Sequence, residues 1–352
     1  MRATRHPLAK MHLPYALEVN GAPNTPTFFA ASEARGGKVV VLSGPEYEAV
    51  EIPEHPGGCM GILSMAPAGL SGMLLVEDFV PLYDAAASGA ALYTRSEAGP
   101  SWQRRRVFDI PFLHRVTLVK PWGEPLLLAA QLCRSKSAVD DWSQPGAVYA
   151  VRPDASRERW KMEGCPILDG LHRNHGLFVG PNTEMGEVFV AADEGLFRIW
   201  KPGRDTAWMT ERLWDFPTSD LWMFDLDGDG ELEITTIHPF HGDRAGVFKR
   251  IGGIWECVWE TAGAFGHVVW AGQLAGQRGV LLGWRRGSQS LDFHVLAHPG
   301  SWRFERHRLD EGVGPLNVRV IERPGLSRIL ATHEATGEVV LYSLNSRQGH
   351  DS

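Results

Sequence analysis

The sequence predicts an all-β fold: a seven-bladed β-propeller of four-stranded antiparallel blades, closed by an N-terminal strand that completes the last blade. Three observations carry this. Short segments rich in β-branched and aromatic residues recur in groups of four along the 352 residues. The groups begin near residues 12, 57, 112, 171, 219, 265 and 314, spacings of 45 to 59 residues, the length of a propeller blade. Turn formers and large aromatics are both abundant, with 39 glycines, 23 prolines and 13 tryptophans, as many short strands joined by tight turns require. A long β-solenoid or two sandwiches would use the same strands.

Taken in order, the first blade reads 12–19, 27–32, 38–43 and 47–52, and the second 60–64, 72–78, 90–95 and 102–110. The third reads 114–120, 125–131, 147–152 and 159–164, and the fourth 176–180, 187–191, 195–200 and 208–216. The fifth reads 221–224, 232–237, 245–250 and 254–260, and the sixth 266–270, 279–284, 290–297 and 302–309. The seventh has only three strands, 316–321, 328–333 and 338–344, before residues 346–352 end the chain. Its outer strand is expected from residues 1–11. Arg2-Ala3-Thr4-Arg5-His6-Pro7-Leu8 resembles the outer strand Arg303-Phe304-Glu305-Arg306-His307-Arg308-Leu309, and a first strand completing the last blade removes the open edge. The whole chain, 1–352, is thus one domain.

The sharpest local motif is Asp225-Leu226-Asp227-Gly228-Asp229-Gly230-Glu231-Leu232-Glu233. Carboxylates at alternate positions with glycines between them make a hard-oxygen cage of the kind Ca²⁺ takes. An EF-hand would need flanking helices and a Glu at position 12, where Thr236 stands. Both flanks read instead as strands. This strand–acidic loop–strand segment resembles the FG-GAP/VCBS type of propeller repeat. The resemblance implies a structural Ca²⁺ held by Asp225, Asp227, Asp229, Glu231 and Glu233. The equivalent turns, such as Pro121-Trp122-Gly123-Glu124 and Pro181-Asn182-Thr183-Glu184, lack the carboxylate set.

In a propeller the D–A links and B–C turns share one face, and nine of the 14 histidines fall there. His12, His114, His172, His175 and His267 stand at the starts of inner strands, His55 in a link, and His238, His241 and His333 in or beside B–C turns. Imidazole titrates near neutrality and is a common transition-metal ligand. His114, His172, His175 and His267 are the catalytic candidates, and His172, His175 and His267 could hold Zn²⁺ or Mn²⁺. His238, His241, His333, Trp222, Trp270 and Asn317 are candidates for binding substrate. Further charges in the same turns, Glu33, Arg35, Lys136, Asp140, Asp141, Asp193, Glu194, Arg285, Arg286 and Glu334, suit a polar ligand, with Trp142 as a further aromatic face.

The whole-chain pattern is similar to the propellers of aldos-2-ulose dehydratase and of several polysaccharide lyases. That resemblance implies a metal-supported elimination of a β-oxygen from a sugar at the central channel mouth. The metal would stabilise the enolate while an imidazole moves the proton. A metal-dependent hydrolase or lactonase would use the same groups, and a non-catalytic propeller binding a sugar or protein would need neither. The expected partner is a small keto- or anhydro-sugar. A net charge of −7 argues against nucleic acid, and no run of 18 apolar residues argues for a membrane span. Nothing fixes an oligomeric state. Residues 1–15 lack the apolar core of a secretory signal. Cys59, Cys133, Cys165 and Cys257 lie far apart without a CxxC, which predicts free buried thiols and a cytoplasmic setting. There is no GxSxG, no GxGxxG after a strand and no GxxxxGK[ST].

Overall fold

The structure is a computed structural model, which describes residues 1–21, 25–80, 84–96 and 101–345. Its strands are β1 (Arg2–Lys10), β2 (Pro14–Asn20), β3 (Thr27–Ser32), β4 (Val39–Ser43), β5 (Glu48–Ile52), β6 (Gly61–Ser64), β7 (Met73–Glu77), β8 (Gly89–Arg95) and β9 (Trp102–Asp109). Next come β10 (Leu113–Val119), β11 (Leu126–Gln131), β12 (Gly146–Arg152), β13 (Lys161–Met162), β14 (Leu168–Leu171), β15 (Gly176–Val179), β16 (Val188–Ala192), β17 (Gly195–Trp200) and β18 (Met209–Trp214). The series ends with β19 (Asp220–Phe224), β20 (Glu233–His238), β21 (Arg244–Ile251), β22 (Ile254–Ala262), β23 (Gly266–Leu274), β24 (Gln277–Trp284), β25 (Leu291–His298), β26 (Arg303–Asp310), β27 (Pro315–Arg323), β28 (Leu326–His333) and β29 (Glu338–Asn345).

These strands form seven antiparallel sheets: β2–β5, β6–β9, β10–β13, β15–β18, β19–β22, β23–β26, and β27–β29 with β1. The fold is therefore a seven-bladed β-propeller, as the repeat predicts. Its last blade takes its outer strand from the N-terminus: β1 pairs with β29 from Arg2↔Asn345 to Lys10↔Glu338. Side chains fasten this closure. Arg5 bridges Asp310 (3.0 Å) and Glu338 (2.5 Å), and the Tyr342 hydroxyl donates to Asp310. Residues 346–352, which the sequence leaves without a strand, lie outside the described residues.

The second strand of a blade is packed on both faces, so its sequence is a continuous apolar run rather than an alternating one. Leu126–Gln131 and Val188–Ala192 are buried throughout. The outer strand β18 is exposed over its first four residues. Within residues 18–220, Leu126, Leu128, Val148, Val188, Val190 and Ile199 form one core cluster. Within the other compact unit, residues 1–17 with residues 221 onward, Leu281, Leu291, Phe293, Ile329 and Tyr342 form another. Each fully buried leucine contributes about 1.5–3 kcal/mol.

The third blade departs from the expected pattern. Its outer strand, expected over 159–164, is reduced to β13, and β14 returns to pair with β12 over Gly146–Val148. Gly164, in the left-handed region at φ 59°, precedes Pro166, which has no amide to donate to a ladder. The fourth blade then begins with β15 at Gly176. All four cysteines are free, as expected, but only Cys59 and Cys133 are buried; Cys165 and Cys257 are exposed, Cys165 beside the Gly-Cys-Pro break and Cys257 on an outer strand. Among the described residues, no helix is long and apolar enough to cross a membrane.

Candidate functional site

The backbone enters the inner strands by a shared device. Leu13, Phe112, Arg173 and Phe265 adopt φ values of 45°, 54°, 49° and 57°, and Gly58 and Gly314 adopt 60° and 58° at the corresponding points. Residues with a Cβ pay roughly 1–2 kcal/mol for this region. Two residues further on stand Tyr15, Met60, His114, His175, His267 and Leu316. At His114, His267 and Leu316 the pairing with the second strand skips that residue: Leu113↔Gln131 is followed by Arg115↔Ala130, Gly266↔Trp284 by Val268↔Gly283, and Pro315↔His333 by Asn317↔Thr332. Each is a β-bulge, which frees one side chain from the ladder and re-aims it. In the fourth blade the His175 amide donates to the Ala191 carbonyl, opposite Gly176.

Within residues 18–220 this brings His114 and His175 together, their ring centroids 4.6 Å apart. Both are buried, at 5% and 1% exposure. Phe79 packs edge-on to His114 at 5.5 Å. His175 Nδ1 lies 3.1 Å from the Ser219 carbonyl of the following blade. A carbonyl only accepts, so Nδ1 carries the proton and Nε2 keeps its lone pair. Arg115, next to His114, pairs with Asp220 at 3.2 Å.

Within the other unit, His267 is built the same way. It is 4% exposed, and its Nδ1 lies 2.5 Å from the Leu316 carbonyl, which again leaves Nε2 as the basic atom. Tyr15 meets it edge-on at 5.5 Å, and His241 stacks on it at 5.1 Å. His241 is itself sandwiched between Phe240 (4.0 Å) and Phe265 (4.7 Å), and its backbone is in the left-handed region at φ 47°. One ring nitrogen of His241 lies within 4.8 Å of one of His267. Arg285 and Arg286 lie over the Phe265 ring at 5.4 and 5.5 Å, and both bridge Glu334, at 2.5 and 2.6 Å. Burial pushes the Glu334 carboxyl up, but the two guanidiniums outweigh it and hold it at about 2.

The remaining candidates sit elsewhere. His12 is exposed. His172 is half-exposed and bound to Glu194, through Nδ1 at 2.6 Å and through its amide at 2.9 Å. His238 lies at the end of β20, with Thr236 at Nδ1 and Glu260 3.5 Å from Nε2. His333 is fully buried against the Tyr342 hydroxyl, 3.2 Å from Nε2. Trp222 and Trp270 pack against one another at 6.3 Å, Trp222 against the Leu226 and Ile237 core and Trp270 against the Leu281 and Phe293 core. Asn317 Nδ2 donates to the Tyr15 carbonyl. Lys136 stacks on Trp142 at 3.4 Å, Arg35 pairs with Asp84, and Asp141 caps Ser137 and Ser143.

In the acidic loop, Asp225 accepts from the amides of Gly228 (2.6 Å) and Gly230 (3.2 Å), and Gly230 sits at φ 92°, where only glycine is unstrained. Asp227, Asp229 and Glu233 converge on the Lys249 ammonium, at 2.9, 2.6 and 2.9 Å. Glu231 points its side chain outward and is exposed. The loop as folded holds a lysine, while Asp225, Asp227 and Asp229 also place one carboxylate oxygen each within 4.8 Å of one another, close enough to share a metal ion.

Phe112, Phe240, Phe265, Tyr15 and Lys249 are the site residues that the sequence pattern alone leaves out. A signal for the first set is present: Phe112-Leu113-His114, Phe265-Gly266-His267 and Arg173-Asn174-His175 all place a histidine two residues after the link residue.

No protein-family model matches the chain, and no curated protein matches it in sequence. Among solved structures it is similar to a protein of Bacteroides fragilis provisionally described as a 6-phosphogluconolactonase, at 8% identity and a TM-score of 0.54 over 96% of both chains. At that identity the likeness is one of fold, and it extends over the whole propeller.

Proposed function

We propose that this protein is an enzyme acting on a small carbonyl-bearing sugar, with the Nε2 atom of His267 as its base, and that it opens a sugar lactone by addition of water. The carrying observation is that an inner-strand imidazole aims Nδ1 at a carbonyl of the next blade, His267 at Leu316 at 2.5 Å, an orientation that makes Nε2 the basic atom. A general base needs a basic nitrogen held in a fixed orientation. The Bacteroides fragilis protein's description supports lactone opening over other carbonyl chemistry. Arg285 and Arg286 offer donors to an anionic or hydroxyl-rich substrate.

Elimination of a β-oxygen from a keto- or anhydro-sugar is the second reading. It is favoured by the rings of Tyr15 and His241 against His267, with Phe265 stacked behind His241, which shield the base from bulk water and suit abstraction of a carbon-bound proton. It also draws on the FG-GAP/VCBS resemblance of residues 221–237. Zn²⁺ or Mn²⁺ is a suitable partner for His267, whose backbone-bonded Nδ1 is the usual orientation of a metal-ligating histidine. His241 and His267, each with a ring nitrogen within 4.8 Å of the other's, would hold it. When bound, it would polarise the substrate carbonyl.

The test is a panel of aldono-lactones and keto-sugars incubated with the purified protein. Proton release without an absorbing enone identifies the lactonase; an enone identifies the lyase. Neither product from any member, with no Zn²⁺ or Mn²⁺ retained in the purified protein, contradicts the enzymatic reading.

A further inference from the structure

The fifth blade carries an acidic loop of cation-binding composition, yet a side chain of the same blade already fills it. Lys249 on β21 reaches Asp227, Asp229 and Glu233 at 2.6 to 2.9 Å, which accounts for all three ammonium hydrogens. Its ammonium lies over the Trp302 ring, 5.6 Å from the centroid, and the side chain is only 15% exposed. Asp225 is occupied by two amides of its own loop and has Arg278 3.7 Å away. The carboxylates of Asp225, Asp227, Asp229 and Glu233 are therefore all engaged within the protein.

An independent observation comes from the fourth blade, whose turn between first and second strands has no Asp-rich loop. There Glu187, immediately before β16, accepts from the Asn182 amide at 3.1 Å with Oε2 and from Arg198 on β17 at 2.5 Å with Oε1. In the fifth blade Glu233, the first residue of β20, accepts from the Leu226 amide at 2.7 Å with Oε2 and from Lys249 on β21 at 2.9 Å with Oε1. Both glutamates are buried, at 3% and 0% exposure. One architecture serves both blades: a buried acid ties the turn's backbone to a cation on the third strand. In the fifth blade two further aspartates wrap the same cation.

We propose that Lys249 is the resident cation of the 225–233 loop, so that this acidic turn is an ammonium-centred staple and not a Ca²⁺ site in the native protein. Ca²⁺ needs six to eight oxygens, and it would have to displace a three-fold-bonded, half-enclosed ammonium to reach them. Removing the ammonium leaves Asp227, Asp229 and Glu233 facing one another without compensation, the arrangement a divalent ion would then neutralise.

The experiment uses the full chain, with CaCl₂ or EDTA as the probe. Isothermal calorimetry of the wild type is expected to show no stoichiometric Ca²⁺ binding at millimolar concentration, and its melting temperature to change by less than about 1 °C between CaCl₂ and EDTA. Lys249→Met keeps an unbranched side chain of similar length and removes the charge. It is expected to melt several degrees lower in EDTA and to recover in CaCl₂ through newly acquired one-to-one binding. Lys249→Arg, which keeps a cation, is the second variant and is expected to fold and stay insensitive to Ca²⁺. One-to-one Ca²⁺ binding by the wild type with a rise in melting temperature overturns the proposal, whatever the variants do. So does a Lys249→Met protein as stable in EDTA as the wild type.

Discussion

At the residue scale, the proposed function rests on where the His267 ring proton sits. His175 and His267 each face a carbonyl with Nδ1, so their neutral form presents Nε2 as acceptor. Long-range ¹H–¹⁵N spectra at pH 7.5 are expected to show both rings as the Nδ1–H tautomer; Nε2–H signatures for both would remove the base from the site. The buried His333 is the contrast. Its Nε2 faces a Tyr342 hydroxyl that already donates to Asp310, so Nε2 carries the proton and offers no lone pair. Sequence spacing could place His333 in its turn but not bury it. Nor could spacing separate His172, tied to Glu194, from His175 three residues later; the left-handed Arg173 between them decides which one heads the strand. Lys249 was illegible for a related reason: it lies 16 residues beyond Glu233, and only the register of β20 and β21 puts it into the loop.

At the element scale, the strand pattern was legible almost throughout, because central strands read as apolar runs and turns are marked by glycine and proline. The N-terminal closure was legible too, from the likeness of residues 2–8 to β26. The eight cross-strand pairs between β1 and β29, at about 0.2–1 kcal/mol each, are worth roughly 2–8 kcal/mol. A chain lacking residues 1–10 is expected to lose stability of that order and to aggregate through the exposed edge of β29. A synthetic peptide of residues 1–11 is expected to restore the melting temperature by pairing in trans. An undiminished melting temperature in the truncated chain would contradict the closure. The split outer strand of the third blade was not legible, because Gly-Cys-Pro reads as well as a strand end as it does as an interruption. The bulges were equally hidden: one extra residue in a ladder leaves no mark in composition.

At the scale of the whole molecule, burial sets the response to acid. His294 and His333 are both driven down to about 4 by desolvation, against an ordinary value near 6.5. Above pH 6.5 they are neutral in both states and cost nothing. Between pH 6.5 and 4 the unfolded chain takes up protons that the folded chain refuses, so stability falls with pH across that window, by about 3 kcal/mol for each group. Denaturant unfolding at pH 7.5, 6 and 4.5 is expected to show this fall, with a shallower slope in His294→Phe, whose ring can stay packed on Trp259. Stability that stays level from pH 7 to pH 4.5 would contradict it. The fold class of this molecule was readable from its repeat, and its chemistry only from atoms that the repeat does not name. The central claim is that an inner-strand imidazole acts as a base on a sugar carbonyl, and kcat for the best lactone of the panel, compared between wild type and His267→Asn, tests it most directly. The Asn amide can still donate to the Leu316 carbonyl but lacks a basic nitrogen, so kcat is expected to fall about 10²–10⁴-fold with the melting temperature little changed, and an unchanged kcat would contradict the account.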